Sequence, residues 1–220
     1  RADVLAQAAE ESGSAVFKFP RWRLKGETIP EVFEAYKSVR ADVNVLAFVT
    51  QFIPLDVVNT PRLGSICYHP SILPRHRGAS AINWTIMSGD TEAGFTIFYP
   101  DDGLDTGPIL LIRKCKIEPD DTLSSLYSRF LFPEGIKGMV EAVDLLEQGT
   151  APKIPQPEEG ASYEPMWKDH SKAQVDFRSP SQTVHDFIRG SDKVPGAWAV
   201  VDGAHVTLYG STRDLPTQPT

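Results

Sequence analysis

A nearly continuous apolar run spans residues 43–49 (VNVLAFV), and it constrains the fold more than any other segment. Strands covered on both faces, as in parallel sheets, carry such runs in place of an alternating pattern. Gln51-Phe52-Ile53-Pro54 then leaves the run, and a short helix is predicted over 55–59. The run therefore predicts a buried strand whose carboxyl end is where open α/β sheets bind ligands.

The segments around this run alternate between helical and extended patterns. Helices are predicted over residues 3–12, 31–39, 79–88, 123–130 and 135–147. Strands are predicted over residues 15–19, 64–68, 94–99 and 108–117, the last of them antiparallel. This order predicts an α/β fold with an open, mostly parallel sheet.

The domain organisation follows from proline content and a turn signal. Residues 149–166 hold four prolines, a density typical of a linker. Beyond them, a helix over 182–189 and two apolar runs joined by Asp202-Gly203 predict a small domain with a β-hairpin. We therefore expect a catalytic domain at 1–148, a linker at 149–166 and a small, partly β domain at 167–220.

Composition narrows the classes of partner. The net charge of −7 disfavours a general nucleic-acid binder, although a local basic patch at residues 75–77 (RHR) stays open. Cys67 and Cys115 are the only cysteines, and the simplest interpretation is two reduced thiols in a cytoplasmic protein. Neither cysteine has the spacing of a zinc site, and no apolar segment is long enough to span a membrane. We therefore predict no metal, no nucleic acid and no membrane as partners.

Two loop motifs carry the candidate chemistry. His69 follows the strand predicted at 64–68 and precedes Pro70, while Asp105 lies in a turn bounded by Gly103 and Gly107. An imidazole titrates near pH ~6.5 and can exchange a proton at cellular pH. Taken singly, a histidine is more often structural and an aspartate in Asp-Thr-Gly more often forms a turn. Together, His69 and Asp105 predict an acid–base pair on loops at strand ends.

The segment Gln51-Phe52-Ile53 lies just past the predicted buried strand. Backbone groups and the Phe52 ring could hold a flat aromatic ligand there. A plain strand-to-helix turn accounts for the same residues equally well. The residues by themselves leave both interpretations open.

The stretches HPSILPRHRGASAINW (69–84) and GLDTGPIL (103–110) resemble the folate-dependent formyltransferase family. Further stretches of the chain are similar to one branch of this family, the amino-terminal, hydrolase-type domain of 10-formyltetrahydrofolate dehydrogenases. These stretches are VFKFPRWRLKG, QFIP, RFLFPEGIKGMVEAV, PQPEEGASYE and RGSDKVPGAWA. The resemblance covers essentially the whole chain. It implies a Rossmann-like sheet whose first βαβ portion precedes Arg1 and is absent here.

The resemblance also implies roles for the candidate residues. The substrate would be 10-formyltetrahydrofolate, with its pterin against Gln51, Phe52 and Ile53. His69 would donate a proton to the developing oxyanion or to the leaving N10 atom, and Asp105 would orient His69 or deprotonate the nucleophile. This chain would need no cofactor. NADP and phosphopantetheine would belong to downstream aldehyde dehydrogenase and carrier domains.

One position departs from the wider family, which places asparagine two residues before the histidine. Here that position is Cys67, a weak hydrogen-bond donor where asparagine would stabilise an oxyanion. The dehydrogenase branch is similarly without asparagine there. Cys67 therefore favours that branch over a transferase that uses an amine acceptor.

Three other interpretations stay open. A methionyl-tRNA formyltransferase would fit the two-domain layout and the basic loop at 75–77. An inactive folate-binding fragment would fit a chain without its first strand. Sugar-nucleotide formylation would require a nucleotide pocket, and no segment of the sequence identifies one.

Overall fold

The structure is a computed structural model that describes residues 3–47 and 49–212. The helices are α1 Val4–Glu11, α2 Pro30–Val39, α3 Leu55–Val58, α4 Ala81–Met87, α5 Leu123–Leu126, α6 Phe132–Glu147 and α7 Ser181–Ser191. The strands are β1 Arg23–Leu24, β2 Glu27–Thr28, β3 Asn44–Leu46, β4 Ser65–His69, β5 Arg77–Gly78, β6 Glu92–Phe98, β7 Ile109–Lys116, β8 Tyr163–Glu164, β9 Ala197–Val201 and β10 Ala204–Leu208. These elements confirm an α/β fold.

The central sheet has four strands in the order β3-β4-β6-β7. Within the described residues the prediction of a mostly parallel sheet is wrong. Only β3 and β4 run parallel, whereas β4–β6 and β6–β7 are antiparallel, so the sheet is mixed. The loop over residues 99–108 joins β6 to β7 and reverses the chain, as predicted for the last strand.

Strand β3 is shorter and more exposed than predicted. It covers Asn44–Leu46, and Phe48 of the predicted strand lies outside the described residues. Val45 is 43% exposed, so the expectation of burial on both faces is wrong. The reason is strand order, because β3 forms the edge of the described sheet and pairs only with β4.

The strand predicted over 15–19 is also wrong, since these residues form no ladder with any described strand. Their aromatic side chains pack locally instead. Phe17 and Phe19 stack with ring centroids 6.3 Å apart, and Phe19 meets Trp22 edge-on at 5.8 Å. A short apolar run can thus bury area through ring contacts without a strand partner.

Helix α6 covers one face of the sheet and closes the main core. A π-helical turn, Tyr127–Leu131, joins α5 to α6, and Tyr68 on β4 donates its hydroxyl to the Leu131 carbonyl at 2.9 Å. The helix approaches β6 closely at Gly138, where an added Cβ would lie 2.7 Å from the Phe95 ring. The Tyr68 hydrogen bond thus ties β4, the strand that ends at His69, to the start of the helical layer.

The carboxy-terminal part packs through α7 against α4 and the loop that precedes α5. Asn83 on α4 donates to the Gly190 carbonyl at 2.8 Å, and the buried Arg189 donates to the Asp121 carbonyl at 3.0 Å. The predicted hairpin is confirmed as β9–β10. Its turn residues Asp202 and Gly203 have φ angles of 50° and 78°, as a tight primed turn requires.

Residues of the predicted linker form β-type pairs with two strands that precede it, β7 of the central sheet and β5 of a separate two-stranded sheet. Ile154 bridges Ile109 at the start of β7, and β8 pairs in parallel with β5. The domain boundaries themselves stay a prediction. Across residues 3–47 and 49–212, no helix is both long and apolar enough to cross a bilayer.

Candidate active site

His69 is the last residue of β4, a strand buried along nearly its whole length. The side chain is only 8% exposed. Its Nε2 donates to the carbonyl oxygen of His76 at 2.8 Å, because a carbonyl can only accept. Its Nδ1 faces the Asp105 carboxylate, with 3.5 Å to Oδ2. The structure therefore brings His69 and Asp105 together, and the longer Asp105 contact is the weaker of the two.

Asp105 reaches this position from the loop between β6 and β7. Its φ angle of 54° lies in the left-handed region that side chains seldom adopt. Its Oδ2 atom accepts a hydrogen bond from the backbone N–H of Gly78 at 2.7 Å. One carboxylate oxygen thus joins His69 to the amide of β5. The carboxylate is fixed from two sides and is only 18% exposed.

Gly78 permits this contact because of its conformation and its surroundings. Its φ angle is 96°, and an added Cβ would lie 2.8 Å from the Glu164 carbonyl oxygen. Strand β8 packs at this position, with Gly78 opposite Glu164 in the ladder. Only glycine fits here without displacing backbone.

His76 is a buried residue that the sequence did not single out for this role. Its Nδ1 lies 3.0 Å from Glu164 Oε1 and its Nε2 lies 3.1 Å from Asp90 Oδ2. Asp90 also pairs with Arg75 at 2.6 Å. The basic patch left open at residues 75–77 is therefore wrong, because carboxylates flank His76 and Arg75 and Arg77 is buried.

Thr96 on β6 fixes the loop that follows His69. Its hydroxyl donates to the Ser71 carbonyl at 2.7 Å and accepts from the Leu73 N–H at 3.1 Å. Both bonds are buried. A single threonine in a strand gives no signal in the sequence, since its partners lie on a separate loop.

Cys67 precedes His69 by two residues on β4, so both side chains lie on the same face of the strand. Burial raises the pKa of the Cys67 thiol to about 12, and the nearby Asp105 charge adds to this effect. The side chain is therefore a neutral thiol around pH 7. It offers only a weak hydrogen-bond donor beside His69.

The segment Gln51-Phe52-Ile53 lies at the carboxyl end of β3 but is not bonded to His69 or Asp105 among the described residues. Leu46 on β3 pairs with Cys67 on the parallel strand β4, so the carboxyl ends of both strands lie on the same side of the sheet. Phe52 is 60% exposed, and within the described residues the segment makes no hydrogen bond to His69 or Asp105. Its polar contacts are long ones to Pro20 and Arg23, each 3.4 Å.

A cavity of about 400 Å³ lies on the other side of the 69–78 loop. Arg75, His76, Asp90 and Lys114 contribute to its wall, whereas His69 and Asp105 do not. Its volume therefore does not belong to the candidate site. In the described part of the chain no group of three or more His, Cys, Asp or Glu side chains is arranged to hold a metal ion.

Comparison with known proteins gives two family matches. A formyl transferase domain matches residues 2–143, and a formyl transferase carboxy-terminal domain matches residues 168–217. Among solved structures, HypX from Aquifex aeolicus in complex with tetrahydrofolic acid aligns with a TM-score of 0.66 and 27% identity. That alignment covers 80% of this chain and 30% of the HypX chain.

Two curated relatives are much more similar in sequence. A mitochondrial 10-formyltetrahydrofolate dehydrogenase from Mus musculus is 64% identical over 96% of this chain. A cytosolic 10-formyltetrahydrofolate dehydrogenase from Xenopus laevis is 60% identical over 98% of it. The chain spans only 23% and 24% of those two proteins.

Proposed function

This chain belongs to the formyl transferase family, and on that premise we propose that it binds 10-formyltetrahydrofolate and removes its formyl group. The acceptor is water, or a carrier thiol in a longer dehydrogenase. The observation that carries the proposal is the buried His69, held 3.5 Å from Asp105 at the carboxyl end of β4. An imidazole and a carboxylate side by side at the carboxyl ends of strands, where open α/β sheets bind ligands, support the proposal of an acid–base pair.

In the hydrolysis, a water oxygen attacks the formyl carbon and forms a tetrahedral intermediate. Asp105 takes the proton of the attacking water or orients His69, and His69 supplies a proton to the oxyanion or to N10. The bond between the formyl carbon and N10 then breaks. The products are formate and tetrahydrofolate. Because both ring nitrogens of His69 have partners, proton donation requires that the longer contact to Asp105 opens.

We place the pterin of the folate against Gln51, Phe52 and Ile53. The segment is exposed, follows β3 at the same sheet edge as His69, and presents an aromatic ring. Within the part of the chain that the structure describes, its backbone makes no ladder hydrogen bond with the sheet. The folate in the related HypX structure and the names of the two dehydrogenase relatives support this ligand class.

Cys67 and the 69–78 loop favour a hydrolase or dehydrogenase partial reaction over a methionyl-tRNA formyltransferase. A neutral, buried thiol stabilises an oxyanion weakly, and the pairing of Arg75 with Asp90 removes a basic surface for tRNA. NADP-dependent oxidation and a phosphopantetheine thiol are proposed for other domains of a longer oxidoreductase. The relatives' names include both cytosol and mitochondria, so a cytoplasmic location stays a prediction.

The test follows deformylation of 10-formyltetrahydrofolate spectroscopically, with and without an added thiol. The variants are His69→Ala and Asp105→Asn, and His205→Ala on the exposed hairpin serves as a matched control. Loss of general acid–base help lowers turnover about 10²–10⁴-fold, so both site variants should fall by at least a hundredfold. The control should retain the rate of the unaltered chain.

Equilibrium binding of tetrahydrofolate separates the remaining outcomes. Retained binding with lost turnover in both variants supports the acid–base roles. Binding without turnover in the unaltered chain would instead identify the inactive folate-binding alternative. Near-normal turnover by His69→Ala would contradict the proposal.

A further inference from the structure

Gln156, in the predicted linker, connects the turn that carries Asp105 with strand β5, whose Gly78 amide binds the Asp105 carboxylate. The amide nitrogen of Gln156 donates to the carbonyl oxygens of Asp105 and Gly107, each at 2.8 Å. Its Oε1 atom accepts from Arg77 Nε at 3.1 Å and from Arg77 Nη2 at 2.7 Å. Every polar hydrogen and the oxygen of the Gln156 side chain are therefore used, and they join the 103–107 turn to β5.

The contact with Arg77 fixes which way the amide faces. Arg77 is 2% exposed, and no carboxylate among the described residues lies within ion-pair distance of it. Its remaining contacts are the Tyr163 hydroxyl at 2.6 Å and the Tyr163 ring at 5.1 Å. A flipped amide would set N–H against the guanidinium, so the buried cation holds the Gln156 oxygen toward itself. The same cation polarises the amide and strengthens its two donors.

The conformation of Asp105 explains why such donors are needed. A non-glycine residue at a φ angle of 54° is strained and persists only when its surroundings hold it. Gln156 binds the carbonyl of Asp105 itself and the carbonyl two residues later. These bonds fix the backbone from which the carboxylate reaches Gly78 and His69.

We propose that Gln156, backed by Arg77, is a positioning residue that holds Asp105 in register with His69. The inference rests on the proposed function for the roles of His69 and Asp105. The position of the Asp105 carboxylate on the Gly78 amide can be measured without turnover. The Gln156 side chain bonds to the backbone of the Asp105 turn and to Arg77, and among the described residues it makes no hydrogen bond to the His69 ring or the Asp105 carboxylate, so its proposed effect runs through Asp105.

The sharpest variant is Gln156→Glu, which has nearly the same shape. A carboxylate still accepts both Arg77 donors, so the buried cation keeps a partner. Its second oxygen, however, faces two carbonyl oxygens at the distance of the present hydrogen bonds and repels them. Gln7→Glu on the exposed face of α1 adds the same charge far from the site and serves as the matched control.

Misplacing a catalytic group by about 1 Å costs on the order of 10²-fold in rate, so kcat of Gln156→Glu should fall about 10–100-fold. The KM for 10-formyltetrahydrofolate should change less than about twofold, because the variant leaves residues 51–53 untouched. Gln7→Glu should match the unaltered chain in both constants. A rise in KM with kcat unchanged would overturn the proposal.

A double-mutant cycle with Asp105→Asn tests whether Gln156 acts through Asp105. If it does, the double variant Gln156→Glu/Asp105→Asn is no slower than Asp105→Asn alone. Multiplied losses would mean that Gln156 supports the fold by another route and would overturn the proposal. If Asp105→Asn itself keeps full turnover, the proposed function fails, and the cycle no longer bears on Gln156.

Hydrogen exchange of the Gly78 amide gives a readout that needs no turnover. This N–H donates to Asp105 Oδ2, so its protection reports the position of the carboxylate. In Gln156→Glu the Gly78 amide should exchange at least about tenfold faster, while the buried ladder of β6 and β7 keeps its protection. Unchanged Gly78 protection in a folded Gln156→Glu chain would overturn the positioning role even if the proposed function holds.

Discussion

The neighbouring parallel strands β3 and β4 have their carboxyl ends on the same side of the sheet, yet the residues at the two ends differ in burial and in hydrogen bonding. At the end of β4, His69 is 7% exposed and both of its ring nitrogens have partners. Past the end of β3, Phe52 is 60% exposed, and among the described residues the polar contacts of 51–53 are long ones of 3.4 Å. The first end is organised before any ligand arrives, and the second presents free surface.

Strand order accounts for this difference. β4 lies between β3 and β6, and at its end His69 faces Asp105 from the β6–β7 loop, whose carboxylate is held by the Gly78 amide of β5. β3 is the edge strand of the described sheet and has a neighbour on one side only. Burial and fixed hydrogen bonds hold two reacting groups in the geometry that catalysis needs. A segment that binds a flat ligand needs exposed apolar area for contact with it. The comparison predicts that changes at the two ends separate into effects on chemistry and effects on binding.

The largest expected effect concerns the reactivity of Cys67 at the buried end. Burial raises the pKa of its thiol to about 12. At pH 8 the thiolate fraction is therefore about a thousandfold lower than for an unperturbed thiol, and alkylation slows accordingly. Mass spectrometry after iodoacetamide treatment should find Cys115 modified first. Reactivity rises with pH, because raising the pH toward 12 increases the thiolate fraction.

The same labelling in urea provides the control, since unfolding exposes both cysteines. There the two thiols should react at similar rates. If Cys67 reacts as fast in the folded chain as in the unfolded chain, reagent and solvent reach the carboxyl end of β4, and the contrast with the end of β3 fails.

The next effect concerns stability at Gly78, and Gly26 offers a matched control. Both glycines have positive φ angles, 96° and 91°, but an added Cβ meets the Glu164 carbonyl only at Gly78. Gly78→Ala should therefore lower the free energy of unfolding by about 1–3 kcal/mol more than Gly26→Ala does. Denaturant titration of both variants measures the difference. Equal losses would show that backbone strain, and not the β8 contact, is what requires glycine there.

The smallest effect is expected at the exposed end. Phe52→Ala should raise the KM for 10-formyltetrahydrofolate up to about tenfold with little change in kcat, because it removes ground-state contact area. The free energy of unfolding should stay within about 0.5 kcal/mol, as for other surface substitutions. Phe177→Ala is the control, because Phe177 is 61% exposed and belongs to the carboxy-terminal part.

A kinetic comparison of these two phenylalanine variants tests the division directly. Phe177→Ala should leave kcat and KM unchanged. A fall in kcat for Phe52→Ala at constant KM would mean that Phe52 contributes to the chemical step, and it would contradict the division between a catalytic and a binding strand end.

The helices and most strands were predictable because their patterns are local. Each of these signals lies within a few residues of chain, as in the helical pattern of α2, the apolar runs of β6 and β7, and the Asp202-Gly203 turn. The errors have a common cause. The strand at 15–19, the burial of β3 and the parallel sheet all depended on which strands become neighbours, which short patterns do not encode.

The candidate site divides in the same way. The sequence by itself singled out His69, Asp105 and the segment 51–53 by their motifs and by a family resemblance, and the catalytic and binding roles of these residues stay predictions. Only the tertiary structure decided that His76 is buried between Glu164 and Asp90. It also decided that Gln156, from a segment predicted as a linker, binds the Asp105 turn. These contacts join residues 14 to 88 positions apart, so no local sequence pattern encodes them and only the folded arrangement of the elements brings the pairs together.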